Sequence, residues 1–359
     1  MKTLCMLWSI FFVLSAAPRA HAQTPLRGMY YGSNMFGSAR IIGALEELLR
    51  ITEINAVIID KKDDHGMEIA GERFSKLVRP FKDRGAHIVC RVVTFKDNTW
   101  LRGKGSAFAL YSRSRPGTVW HDYKGNSYLD PASEEVAAHH VEVTLRAFAD
   151  GCEMINYDYI RLPSARDGNV SDTKYPLPSK GSSKEARAAN MAEKRRVMQL
   201  FTKRLVAGVR EVEPTASLAV SIFGYACYGR EPYVGQYLED FAGLGFIISC
   251  MAYPSHYSCG DGAPNPNTIP YEIYHKTHRK ARAYLAEHGI AGVFMPWLQG
   301  FDYHNINRCG GGKRTRYATD PPHFRKQIQA CADLGIDSWF VWPSRAAFHE
   351  KGLFLPKGK

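Results

Sequence analysis

Several absences narrow the reading before any residue is singled out. Beyond the first 22 residues, no apolar run approaches the roughly 20 residues that a membrane-crossing helix needs. No two cysteines stand at C-x-x-C spacing, so a structural metal site is not expected. No G-x-G-x-x-G follows the first strand-like run, which argues against a dinucleotide-binding open sheet. No histidines stand at H-x-x-x-H spacing. Acid is in short supply, with 35 Asp and Glu against 47 Lys and Arg, a formal net charge of +12. Such an excess suits peripheral contact with an anionic envelope or action on an acidic substrate. The cations are spread through helical stretches rather than gathered in a run, and no nucleic-acid motif accompanies them. Most of the excess therefore reads as solvated surface, and no nucleic-acid partner is expected.

The chain opens MKTLCMLWSIFFVLSAAPRAHAQT. One lysine precedes an apolar run, and Ala20-His21-Ala22 supplies a small-x-small cleavage pattern. The expectation is a signal peptide over residues 1–22, a barrel over 23–359, and a protein exported to the periplasm or beyond. Loss of the leader removes Lys2 and Arg19 and no acid, taking the charge from +12 to +10. Cys5 leaves with it. Cys90, Cys152, Cys250 and Cys331 lie in apolar patterns and read as small buried hydrophobes. Cys227, Cys259 and Cys309 lie in loops, where an oxidising compartment permits one pair among the three.

What remains has a regular beat. Strand-like runs fall at 27–33, 55–60, 87–95, 152–159, 217–224, 246–254, 291–299 and 338–343. Helical patterns fall between them, at 39–51, 73–84, 133–150, 184–212, 232–243, 270–288 and 322–334. Gly85, Gly151, Gly289 and Gly335 each stand just past a helix and just before a strand. Strict alternation means parallel strands with helical crossovers, and eight of them predict an α/β fold, a single (β/α)8 TIM-type barrel.

Active sites of such barrels form at the C-terminal strand ends. The stretch CEMINYDYIRLP, Cys152 to Pro163, is the most informative. Met154, Asn156 and Asp158 share one face and Ile155, Tyr157 and Tyr159 the other, so Asp158 is expected to project from a rigid strand tip into the mouth. Arg161 lies three residues on, and Arg91 sits in the middle of the third strand. The second strand ends Asp60-Lys61-Lys62-Asp63-Asp64-His65, and later tips carry Tyr253, His256, Trp297, Gln299 and Trp342. Rings that stack on sugars, beside carboxylates and amides that bind hydroxyls, point to a polysaccharide or oligosaccharide.

These segments also form an ordered set. INAVIIDKKDDHG, VVTFKD, the LDP turn, INYDYIRLPS, FGY, MAYPSHY with NPN downstream, and PWLQ together resemble the glycoside hydrolases of domain of unknown function 4015. The resemblance runs from about Gly28 to Trp342 and implies a glycoside-hydrolase-like barrel. It places the family's fourth-strand aspartate on Asp158 and its second-strand carboxylates on Asp60, Asp63 and Asp64. In one place the chain departs from the pattern: an aspartate often stands two residues before the fifth-strand Phe-Gly, and here that residue is Ser221.

Glycoside hydrolysis needs two carboxyl groups, one as proton donor and one as nucleophile or base. Asp158 is expected as the nucleophile or charge-stabilising group, with Arg91 and Arg161 beside it. Asp60 or Asp64 is expected as acid/base, with Tyr253, His256, Trp297, Gln299 and Trp342 contacting sugar. No cofactor is expected. Two alternatives stand beside this one: a glycan-binding envelope protein without catalysis, and a metal-dependent polysaccharide deacetylase using Asp63, Asp64 and His65.

Overall fold

The computed structural model describes residues 24–179, 181–229, 232–302, 309, 319–350 and 352–358; the expected signal peptide lies outside them. The chain alternates β1 (Arg27–Tyr31), α1 (Ala39–Ile51), β2 (Ala56–Lys62), α2 (Gly71–Lys82), β3 (His87–Val93), α3 (Asn98–Lys104), α4 (Glu134–Ala149), β4 (Met154–Asp158), α5 (Lys184–Val212), β5 (Leu218–Phe223), α6 (Leu238–Gly243), β6 (Ile247–Met251), α7 (Pro270–Glu287), β7 (Val293–Phe294), β8 (Trp297–Gly300), α8 (Pro321–Ala332) and β9 (Trp339–Pro343). No helix among the described residues is long and apolar enough to cross a membrane.

The strands are parallel throughout and ordered β7-β6-β5-β4-β3-β2-β1-β9-β8. The two ends of that order are joined by only Met295 and Pro296. Met295 N–H donates to the Ile248 carbonyl in β6 at 3.0 Å, and the Pro296 carbonyl accepts from Phe340 N–H in β9 at 2.9 Å. The sheet therefore closes into the expected TIM-type barrel, but with its seventh strand divided in two. Proline has no N–H to give a ladder, and the strand changes partner there. A second difference is α6, which begins at Leu238 rather than at Pro232; residues Pro232–Val234 form a separate 3-10 turn. The short α3, in the excursion after β3, has no counterpart in the sequence pattern.

Side-chain parity sorts the strands into two layers. Tyr30, Ile58, Val89, Met154, Ala219, Trp297 and Phe340 meet inside the barrel, while Ile155, Tyr157, Val220 and Val341 join the larger core under the helices. Full burial of each such aliphatic side chain is worth roughly 1.5–3 kcal/mol. Helix ends are set locally. Ser133 and Ser183 accept from the N–H groups of Val136 and Ala186 and cap α4 and α5. Gly151, at φ 93°, turns the chain from α4 into β4.

The cysteines meet expectation in the Cys259–Cys309 pair and in buried Cys331, and depart from it elsewhere. Cys90 pairs with Cys152, Cys227 with Cys250, and Cys259 with Cys309, while among the described residues Cys331 alone is free, and it is buried. Cys90, Cys152 and Cys250 are thus half-cystines rather than isolated hydrophobes. Cys90 faces the helix side of β3, where Cys152 comes up from the end of α4 with a Cα–Cα distance of 5.7 Å.

His278, wholly buried on α7, bonds the Tyr274 carbonyl at 2.8 Å through Nδ1 and packs edge-on to Phe294. Burial, against the pull of that carbonyl, lowers its pKa to about 4. Above pH 6.5 the imidazole is neutral in both states and costs nothing. Between about pH 6.5 and 4 the unfolded chain binds a proton that the folded one refuses, and roughly 3 kcal/mol of stability is lost. In His278→Phe, denaturant melts across this window should lose a corresponding part of their pH dependence.

Candidate active site

At the C-terminal mouth, β2, β3 and β4 place three charged groups together. Asp60 and Arg91 are register partners on neighbouring strands, and Asp158 is the last residue of β4, paired with Val93. All three point into the barrel and are buried, at 2%, 5% and 6% exposure. Arg91 bridges the two acids. Its Nη1 donates to Asp60 Oδ1 at 2.7 Å, while Nε and Nη2 both donate to Asp158 Oδ2 at 2.9 and 2.7 Å. Two oxygens held by one planar guanidinium are no more than about 8 Å apart, which does not exceed the roughly 9.5 Å upper end for glycosidase carboxylate pairs. Burial alone would lower the Arg91 pKa, but Tyr30, Asp158 and Asp60 around it raise it well above its ordinary value.

The two acids differ in their remaining contacts. Asp60 Oδ2 accepts from the Tyr30 hydroxyl and from Ser33 N–H, each at 2.8 Å, so Asp60 faces three donors. The ladder shifts register between Asp60 and Lys62, a bulge directly after the carboxylate. Asp158 Oδ1 accepts a single bond, from Tyr159 N–H at 2.7 Å. Trp342, half-buried on β9, stacks on Tyr30 with ring centroids 4.1 Å apart and lies 5.1 Å from the Arg91 guanidinium.

Other residues named from sequence are placed differently. Asp64 lies on the turn beyond β2, its carboxylate half-open and paired at 3.9 Å with His65; it is not brought into the Asp60–Arg91–Asp158 cluster. Asp63 instead caps that turn, accepting from His65 and Met67 N–H. Among the described residues, no three His, Cys, Asp or Glu side chains come together as a metal site requires. Arg161 does not reach Asp158. It donates to Asp167 at 2.8 Å and packs between the Tyr159 and Phe223 rings. Trp297 is no open platform: it fills the barrel interior at 1% exposure and donates through Nε1 to Ser221. Gln299 has both amide ends engaged by backbone, accepting from Ser255 N–H and donating to the Phe301 carbonyl, which fixes the rim loops.

Tyr253 and His256 do lie at the mouth, edge-to-face with each other at 5.1 Å and near Phe301. The Tyr253 hydroxyl is buried without a hydrogen-bond partner among the described residues. Its pKa is raised well above the ordinary value, first by burial and then by the Asp158 charge. Burial, with Arg166 adding to it, lowers His256 to about 4, so this imidazole is neutral at physiological pH. Ser221 lies within the barrel, donating to Asn156 Oδ1 at 2.7 Å and accepting from Trp297 at 2.8 Å. Tyr30 was not singled out from sequence. It is signalled only by its parity in β1, two residues after Gly28, where alternation directs both inward.

A closed (β/α)8 barrel with buried acids and rings at its C-terminal mouth is the architecture of sugar-processing barrels among others. The chain belongs to the family described as "Putative glycosyl hydrolase domain", which matches residues 28–348. Among solved structures it is similar to the PgaB (BpsB) glycoside hydrolase domain from Bordetella bronchiseptica. That match has 15% identity and a TM-score of 0.61, covering 90% of this chain and 95% of that one. It is similar also to alpha-L-fucosidase isoenzyme 2 from Paenibacillus thiaminolyticus, at 12% identity and TM-score 0.57, covering 92% and 48%. The alpha-galactosidase TtGalA from Thermus thermophilus, in complex with stachyose, matches at 14% and 0.54, covering 91% and 63%. At these identities the neighbours share the fold. No curated protein matches the chain.

Proposed function

We propose that the protein is a glycoside hydrolase that cleaves an envelope or extracellular polysaccharide, with Asp158 and Asp60 as its two carboxyl groups. The observation that carries this reading is the pair of buried acids gripped by Arg91 at the barrel mouth. Asp158 acts as nucleophile or charge-stabilising group, because Oδ1 has only one backbone donor and keeps lone-pair capacity for an electron-poor anomeric carbon. Asp60 acts as acid/base. A phenolic hydroxyl both donates and accepts, so when Asp60 Oδ2 takes a proton from solvent, Tyr30 can turn from donor to acceptor and keep both the contact and its own proton. The Arg91–Asp60 contact must loosen as that proton is taken up. Export to an oxidising compartment is part of the proposal, supported by the N-terminal apolar run and by three disulfides.

One observation favours a second reading, a protein that binds glycan without cleaving it: Ser221, tied into the barrel interior, supplies no fifth-strand carboxylate. The test is reducing-end release from a panel containing a glucan, a galactan, an amino-sugar polymer and a uronate polymer, with and without chelator. The proposal expects release from at least one polymer that is indifferent to chelator. Binding without release supports the second reading, and chelator-sensitive release of acetate with no new reducing ends supports the deacetylase class.

A further inference from the structure

Tyr159 is the one non-glycine residue among those described with a positive φ, at 49°. Left-handed backbone is disfavoured for a bulky L-residue and persists only where the surroundings hold it. Here the strained residue directly follows Asp158, and among the described residues its N–H is the sole donor to Asp158 Oδ1. The surroundings that hold it are equally specific. Lys96 Nζ lies 4.4 Å from the centroid of its ring, and the Arg161 guanidinium lies 4.8 Å from it. Each cation is anchored in turn, Lys96 to Asp122 at 2.7 Å and to Asp167 at 3.6 Å, and Arg161 to Asp167 at 2.8 Å. Asp122 belongs to the excursion after β3 and Asp167 to the loop after β4. The backbone is pinned as well, with the Asp158 and Tyr159 carbonyls accepting from Thr94 and Phe95 N–H.

We propose that Tyr159 is a positioning residue: two anchored cations grip its ring, hold its backbone left-handed, and so aim its N–H at Asp158 and fix the carboxylate for attack. The long loops after β3 and β4 are then the frame of the nucleophile rather than substrate contacts, and Arg161 acts through Tyr159 instead of on Asp158. This inference rests on the reading of Asp158 given above.

The test is a series at position 159, read on whichever polymer of the panel the wild-type protein cleaves fastest. Tyr159→Phe keeps the ring and should match wild type. In Tyr159→Ala nothing offsets the left-handed backbone, which relaxes; kcat should fall roughly 10–100-fold, with KM within about twofold. Tyr159→Gly lacks the ring too, yet adopts positive φ without strain and should recover most of the lost kcat. A residue that merely filled space would give no recovery with glycine. Glycine no better than alanine, or alanine equal to wild type, overturns the proposal. Asp158→Asn in parallel separates the two levels. If it is inactive while the position-159 series is flat, only the positioning role falls. If it stays active, or if the wild type cleaves nothing, the reading of Asp158 falls and this proposal with it.

Discussion

Asp158→Asn is expected to reduce turnover by about a thousand-fold or more, with little change in substrate affinity. Removal of a group that acts only in the transition state lowers kcat and leaves ground-state binding intact. The substitution is nearly isosteric. The single amide oxygen still accepts from Arg91, the amide NH2 takes the place of the oxygen that accepted from Tyr159 N–H so that one bond is lost, and Arg91 keeps its contact with Asp60. The loss should therefore be chemical rather than structural, and a melting temperature close to wild type would establish that. Steady-state kinetics on a cleaved polymer checks the split: a rise in KM with kcat unchanged would place Asp158 among binding groups instead.

Arg91→Met should give the largest effect on stability. The guanidinium is the shared counter-charge of two buried carboxylates, and its removal leaves both without it. Stranding buried charge in this way costs about 3–5 kcal/mol. The pH dependence should change as well. In the folded variant two neighbouring acids share a proton that the unfolded chain releases, so the native state binds more protons and stability falls as pH rises. Denaturant melts of both proteins between pH 4 and 8 check this: the stability deficit of Arg91→Met relative to wild type should narrow toward acid. An unchanged midpoint at neutral pH would mean that the bridge does not hold the mouth together.

Both predictions rest on residues that strand parity made visible. Alternation alone puts Met154, Asn156 and Asp158 on one face, and the same rule carries Asp60 and Arg91 inward from their strands. The barrel was legible for the same reason, since eight strand patterns alternating with helices admit few topologies. The structure departs from the reading where backbone detail rules. Arg161 was expected beside Asp158 by spacing, but the left-handed turn at Tyr159 sends it to Asp167. Proximity in sequence likewise suggested Asp64, whereas after the bulge that follows Asp60 its carboxylate lies half-open beside His65 and outside the Asp60–Arg91–Asp158 cluster. Trp297 and Gln299 are expected from sequence to contact sugar; the structure buries Trp297 at 1% exposure and engages both amide ends of Gln299, which strand alternation does not record. Disulfide partners such as Cys90 and Cys152 lie 62 residues apart, and no local pattern records that they meet.

The most direct measurement is the structure of Asp158→Asn bound to an oligosaccharide from a polymer that the wild-type protein binds. The account predicts a sugar ring in the mouth, its anomeric carbon about 3–3.5 Å from the residue-158 side chain and its leaving oxygen toward Asp60. A sugar held with its anomeric carbon turned away from both positions would contradict it.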